Sequence, residues 1–377
     1  MYAINSTLDT MMDEQRFIPA PRGRATATNP PTRFDPVSIE LDLDALEPSE
    51  LRKSSTHFFE DTSRSILVSN DSPDVGYNWG LNPYRGCEHG CIYCYARPSH
   101  EYLGWSAGLD FETKILIKRN APELLSKELR KRSWRPAVIS LSGNTDPYQP
   151  AERQFKLTRG CLRTLSDHRN PVGIITKNHL VTRDIDVLAP MARLSLAQVM
   201  ISVTTLRSEI TRIMEPRTSI PARRLDAIEA LSEAGIPTGV MVAPVVPGLT
   251  DEELPAILEA AAKRGATLAG YTVLRLPGPV APLFEDWLDR VMPERKDKII
   301  GRIKELRSGR LNDPRFRHRM RGEGEWASFL KNLFEVTCRR YGFNESKEPL
   351  RTDLFIRNPS NQLNLFDQDD LGTAWSG

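Results

Sequence analysis

The feature that most limits the fold is an alternation, through the middle of the chain, of short β-rich runs with amphipathic stretches. The runs are AVISLSG (137–143), VGIITKN (172–178), VMISVTT (199–205), PTGVMVAP (237–244) and AGYTVLRL (269–276). Helical stretches lie before and between them, at 120–132, 153–166, 182–190, 221–234 and 251–264. The last two carry apolar residues at i, i+3, i+4 spacing and stop at Gly235 and Gly265, where a left-handed residue closes a helix easily. Strands that are apolar along nearly their whole length and separated by helices belong to a parallel sheet covered on both faces. A first strand just before Cys87 and a helix after 281 bring the count to six βα units. Eight are needed to close a barrel, so the expected fold is α/β, an open partial (β/α)6 TIM-type barrel.

The remainder of the 377 residues is read around that core. Residues 1–75 are polar and studded with proline, and are expected to form an extended, partly disordered N-terminal arm able to dock on the main domain. The core is placed at 76–285, a basic helical C-terminal extension at 286–346, and a flexible polar tail at 347–377. The net charge of +2 hides local asymmetry: 290–321 holds 12 Lys and Arg against four Asp and Glu. Such clustering suits either a solvated helical face or phosphate contacts. No basic segment followed by an apolar one opens the chain and no run of about 18 apolar residues occurs, so a cytoplasmic protein without a membrane anchor is expected.

Three of the five cysteines, Cys87, Cys91 and Cys94, fall within eight residues in GCEHGCIYCYA. This C-x3-C-x2-C spacing does not look like a secreted disulfide framework. Three thiolates so placed can cap three corners of a [4Fe–4S] cubane, leaving the fourth iron open for chemistry. The alternative is a structural zinc knuckle with His89 or His100 as fourth ligand, but zinc sites usually pair C-x2-4-C units and no second pair is present. His57, His168, His179 and His318 read as ordinary surface or core residues, and Cys161 and Cys338 as small buried hydrophobes.

The C-x3-C-x2-C motif, with an aromatic before its third cysteine at the end of a first barrel strand, resembles the radical S-adenosylmethionine superfamily. The resemblance implies that S-adenosylmethionine chelates the open iron and is cleaved to methionine and a 5′-deoxyadenosyl radical. It also implies an electron donor such as flavodoxin or ferredoxin. Ser142, Asn144 and Asp146 in SGNTDPYQP would then stand where the superfamily contacts the methionine amine. Lys177 would meet the carboxylate, Ser202 and Thr204 the ribose or carboxylate, and Tyr93 would flank the adenine.

The fuller strings NPYRGCEHGCIYCYARPSHEYLG, SGNTDPYQP, TKNHLVTRDIDVL, ISVTTL and EPRTSIPARRLDAIEALSEAGI resemble the bacterial branch related to spore photoproduct lyase, over roughly 65–280. This implies a DNA-lesion substrate, with Tyr95 taking part in hydrogen return. The lyase's cysteine hydrogen donor has no counterpart in SGNTDPYQPAE, which leaves open another lesion, an RNA base or a protein side chain as substrate. A non-catalytic, cluster-bearing sensor associated with DNA is the reading from a different class. In the tail, Gln362, Leu363, Leu365 and Phe366 resemble the pentapeptide that binds the bacterial sliding clamp, with two apolar anchors beside a register-setting glutamine.

Overall fold

The computed structural model describes residues 19–34, 55–345 and 348–359. Among these residues ten strands are formed: β1 (His57–Glu60), β2 (Leu67–Ser69), β3 (Trp79–Leu81), β4 (Tyr84–Arg85), β5 (Lys114–Ile117), β6 (Ile139–Leu141), β7 (Val172–Thr176), β8 (Ala197–Ser202), β9 (Thr238–Val245) and β10 (Leu268–Val273). The main sheet runs β10-β9-β8-β7-β6-β3-β2. Its six strands from β3 to β10 are parallel, and β2 pairs antiparallel with β3 at one edge. β10 and β2 are the two edges of this sheet, so the strands form the open six-unit array read from the sequence.

The helices cover the sheet because their apolar stripes have nowhere else to go. Pro221–Glu233 opens with proline at its start and buries Ala227, Ile228 and Leu231. Leu254–Ala262 buries Leu254, Ile257, Leu258 and Ala261 against the same layer, where Val240 and Val242 of β9 are also fully enclosed. At about 1.5–3 kcal/mol for each such side chain, this is the layer that holds the strands in place.

Three predicted helices are divided; the stretch 251–264 opens with a 3-10 turn, Asp251–Glu253, before Leu254–Ala262. The stretch 153–166 becomes Ala151–Phe155 and Leu157–Asp167, broken at Lys156, which takes φ 52°. The buried Glu152 explains the restart: its carboxylate accepts the backbone N–H groups of Thr158 (2.9 Å) and Arg159 (3.2 Å), satisfying donors that open the second helix. The stretch 182–190 becomes a 3-10 turn, His179–Asp184, followed by Ile185–Arg193, with Asn178 accepting from Leu180 N–H as cap.

The expected boundaries need correction at both ends. Residues 57–60 and 67–69, assigned to the arm, are strands. β1 and β5 build a second, three-stranded sheet with β4, and β2 extends the main one. Residues 348–359, assigned to the flexible tail, are seated on the barrel's helical layer. Ile356 N–H donates to His168 O at 2.8 Å, and Arg357 donates to the Trp134 carbonyl at 3.1 Å. The C-terminal extension is helical as read, in Pro293–Leu306, His318–Arg321 and Gly324–Arg340. None of the described helices is long and apolar enough to cross a membrane. Gln362, Leu363, Leu365 and Phe366 lie outside the described residues.

Candidate active site

The cysteine loop leaves β4 and folds as successive tight turns. Gly90 N–H donates to Cys87 O (3.3 Å), Cys94 N–H to Cys91 O (3.2 Å) and Arg97 N–H to Cys94 O (3.2 Å). Gly86 and Gly90 take φ 77° and 65°, and each is also pressed from outside. A Cβ on Gly86 would stand 2.8 Å from Lys114 O, and one on Gly90 would stand 2.7 Å from Glu112 Oε2. Glycine is therefore required at both positions, by dihedral and by space.

Polar side chains that no periodic signal announces hold this loop. Gln149 accepts from Glu88 N–H (2.9 Å) and donates to Gly86 O (3.1 Å). Arg97, fully buried, donates to the carbonyls of Cys91, Ala107 and Gly108 and pairs with the equally buried Glu112 at 2.6 Å. Glu112 in turn receives the N–H groups of Ala25 and Thr26 and the Thr26 hydroxyl, while its own carbonyl accepts from Arg24. The described part of the N-terminal arm is thus tied to the cysteine loop through the Glu112 carboxylate, and Thr56 adds a hydrogen bond to Glu88 within the loop at 2.8 Å.

Cys87 and Cys91 are buried and Cys94 is half-buried, and all three are unbridged. His89 is already engaged. Asn178 Nδ2 can only donate, at 3.1 Å, so His89 Nε2 accepts and its Nδ1 faces Asp146 at 3.4 Å. His100 sits between the rings of Trp105 and Phe111, with centroids 5.2 and 5.5 Å away. Among the described residues no three His, Cys, Asp or Glu side chains converge on one point that could hold a single ion. A cubane asks for a different arrangement. Each thiolate binds its own corner iron, so the sulfurs stand apart around a common space. Three free thiols on one tight loop, beside the cations of Lys177 and Arg97, fit that donor set.

The sequence-predicted cofactor residues fall into two groups. Tyr93, Lys177 and Thr204 come together around Glu215, a fully buried carboxylate that sequence reasoning does not single out. Tyr93 Oη donates to it, Thr204 Oγ1 donates at 2.7 Å, Lys177 Nζ lies 3.9 Å away and Arg224 pairs with its other oxygen. Burial holds the Glu215 carboxyl above the usual carboxylate range, against the pull of Arg224. Burial brings Lys177 down to about 8, against the opposing field of Cys91. Its Nζ also donates to Ala243 O at 2.9 Å and stands 5.9 Å from the centre of the Tyr93 ring. Ser202 is buried on β8, and its carbonyl accepts from Arg224 at 3.0 Å.

Ser142, Asn144 and Asp146 follow β6. Asp146 faces inward, accepting from Thr176 Oγ1 (2.6 Å), Lys177 N–H (2.8 Å) and Tyr148 N–H (2.9 Å). Burial pushes its carboxyl up, but His89, with the bonds from Thr176 and Lys177, holds it down at about 2. It is a tether joining the ends of β6 and β7 to the cysteine loop. Ser142 is half-buried and Asn144 exposed, with Asn144 N–H donating to Asn82 Oδ1 at 3.3 Å. Beside them Tyr95 is 51% exposed, its hydroxyl donating to Gly143 O at 2.6 Å and its ring 5.6 Å beneath the Arg275 guanidinium. The remaining thiols are elsewhere: Cys161 is fully enclosed in the main core, and Cys338 is buried in Gly324–Arg340.

Three comparisons bear on this arrangement. Residues 81–261 match the family profile described as the Radical SAM superfamily. An uncharacterized protein of Mycobacterium tuberculosis is 40% identical over 250 residues, spanning 65% of this chain and 72% of its own length. Another, of Methanocaldococcus jannaschii, is 31% identical over 181 residues, 47% of this chain and 64% of its own. Among solved structures, two mutant forms of spore photoproduct lyase align with TM-scores of 0.55 and 0.56. The identity is 14–15%, and 76% of this chain and 80% of the lyase are covered. At that identity the likeness establishes the fold. The superfamily uses a [4Fe–4S] cluster and S-adenosylmethionine. With the cysteine loop following β3, the first strand of the six-strand parallel array, by way of the short β4, and with the profile match across it, this chain belongs to the radical SAM superfamily.

Proposed function

We propose that this radical SAM enzyme acts on nucleic acid, with a DNA lesion as its substrate. When bound, the cluster and S-adenosylmethionine supply a 5′-deoxyadenosyl radical able to abstract a substrate hydrogen. The chain's own part is to hold and shield. Cys87, Cys91 and Cys94 would hold the cluster. Lys177 would offer its ammonium to the carboxylate of the methionine moiety, and Tyr93 and Thr204 would be kept in place by Glu215. Ser142 and Asn144 flank Gly143, whose carbonyl accepts from Tyr95, and would meet polar groups arriving at the mouth.

The observation that carries the substrate reading is Tyr95. It follows the third cluster cysteine directly, stands half in solvent, is pinned through Gly143 and is flanked by an arginine. An aromatic face with a cation beside it receives a base and its phosphate well. The solved spore photoproduct lyase, similar in fold, includes a complex with a dinucleoside spore photoproduct. The test is anaerobic incubation with deuterium-labelled damaged DNA. Label is expected in 5′-deoxyadenosine, and its absence with DNA alongside transfer from RNA or protein would reassign the substrate. An electron donor of the flavodoxin or ferredoxin type completes the scheme.

The pentapeptide Gln362–Phe366 supports recruitment by the bacterial sliding clamp. Leu365 and Phe366 would fill an apolar pocket while Gln362 and the backbone set register. The full chain is expected to bind immobilised clamp, and Leu365→Ala/Phe366→Ala to lose that binding. Equal binding by both proteins, or none by either, contradicts it.

A further inference from the structure

Near the end of β10 the described residues gather arginines with too little negative charge to match. Arg275 lies two residues beyond the strand. Its guanidinium sits over the Tyr95 ring, and among the described residues it hydrogen-bonds only the soft sulfur of Met320, at 3.6 Å. Its Nε is buried without a partner, and no described carboxylate lies within ion-pair distance. Behind it, Arg307 is 2% exposed and among the described residues bonds only carbonyls: Leu274 O (2.8 Å), Val273 O (3.5 Å) and His318 O (2.9 Å). This welds the strand end to the segment Arg315–Arg321. Arg321, exposed, lies 3.7 Å over the Tyr271 ring, again without an ion pair among the described residues. Asp74, the carboxylate whose field Arg275 feels, is already engaged by the Arg319 guanidinium and the Arg317 N–H. Arg319 also covers Phe316, which is 50% exposed, at 4.4 Å.

Burying a guanidinium without a counter-charge is costly, and a group held so is stabilised when an anion arrives from outside. Arginine planes lying on the half-exposed rings of Tyr95 and Phe316 make the mixed stacking and phosphate surface that suits an unpaired strand. We infer that Arg275, with Arg321 next in sequence to the Met320 it contacts, is a phosphodiester-binding site at the barrel mouth, and that the strand it holds stacks a base on Phe316. This rests on the nucleic-acid reading above. It adds which residues take the backbone and that the substrate is engaged as single strand.

The test is fluorescence anisotropy of the full chain with a labelled 12-nucleotide DNA and an RNA of the same sequence, from 50 to 200 mM salt. Arg275→Gln is compared with wild type and with Arg302→Gln, which removes the same charge from a surface pair with Glu305. Arg275→Gln is expected to weaken binding roughly tenfold, as loss of a charge-assisted bond does. It should also lower the slope of log affinity against log salt by about 0.7. Arg275→Lys should restore the slope but not the full affinity, because the ammonium keeps the charge and loses the planar stack. Should Arg275→Gln melt far below wild type, the exposed Arg321→Gln carries the same expectation. If Arg275→Gln and Arg321→Gln match Arg302→Gln in affinity and slope, the assignment is overturned while the nucleic-acid reading stands. If wild type binds neither oligonucleotide, or prefers a polyglutamate peptide to both, the two fall together. The DNA and RNA arms separate the sources of the phosphodiester.

Discussion

Glu215→Ala should lower stability by about 3–5 kcal/mol, the loss expected when one partner of a buried ion pair is removed. Arg224 is 1% exposed at its side chain and would be left charged in the interior with only Ser202 O, Ser219 O and Thr218 Oγ1 as partners. Tyr93 and Thr204 would lose their common acceptor in the same step. Replacing both members, Glu215→Ala with Arg224→Met, removes the stranded charge and should recover much of the deficit. Thermal melts of the three proteins decide the matter. A double variant no more stable than Glu215→Ala would mean that the ion pair is not what holds this network.

Each of Cys87→Ala, Cys91→Ala and Cys94→Ala should abolish formation of an intact cluster, because the loop offers no fourth thiol as substitute. The other described thiols, Cys161 and Cys338, are buried in the cores of distant helices. After anaerobic reconstitution the expected result is iron and acid-labile sulfide well below the four each per chain of wild type, with unchanged far-ultraviolet circular dichroism. Cys161→Ala and Cys338→Ala are the controls and should keep their iron. Full iron content in any of the three loop variants would remove that cysteine from the ligand set.

The two kinds of signal in this chain are not equally readable. The six parallel strands are legible because burial on both faces writes a continuous apolar run, and the helices over them carry a period that matches one enclosed stripe. The cysteine loop is legible because its chemistry depends on spacing alone. β1 and β5 escape notice for the opposite reason. His57–Glu60 is exposed along its whole length and Lys114–Ile117 is a short half-buried run, so neither leaves a pattern. Glu112, Gln149, Glu152 and Glu215 escape it because a buried carboxylate or amide in a connection looks like any surface polar residue. What distinguishes it is the set of donors brought to it from residues far away in sequence, such as Thr26 and Arg97 to Glu112. Asp146 is found by position, but its partners make it a tether between strand ends. The basic count over 290–321 is also readable. It does not reveal that Arg315 and Arg319 are already paired with Asp313 and Asp74, or that Arg275, outside that segment, has no ion-pair partner among the described residues.

The central claim is that Cys87, Cys91 and Cys94 support radical cleavage of S-adenosylmethionine. Its most direct test is anaerobically reconstituted protein with dithionite and S-adenosylmethionine, followed by chromatography for 5′-deoxyadenosine. Formation of 5′-deoxyadenosine and methionine in equal amounts by wild type, and its absence from Cys91→Ala, is the predicted result. A fully loaded wild-type protein that forms none, with or without nucleic acid present, would contradict the account.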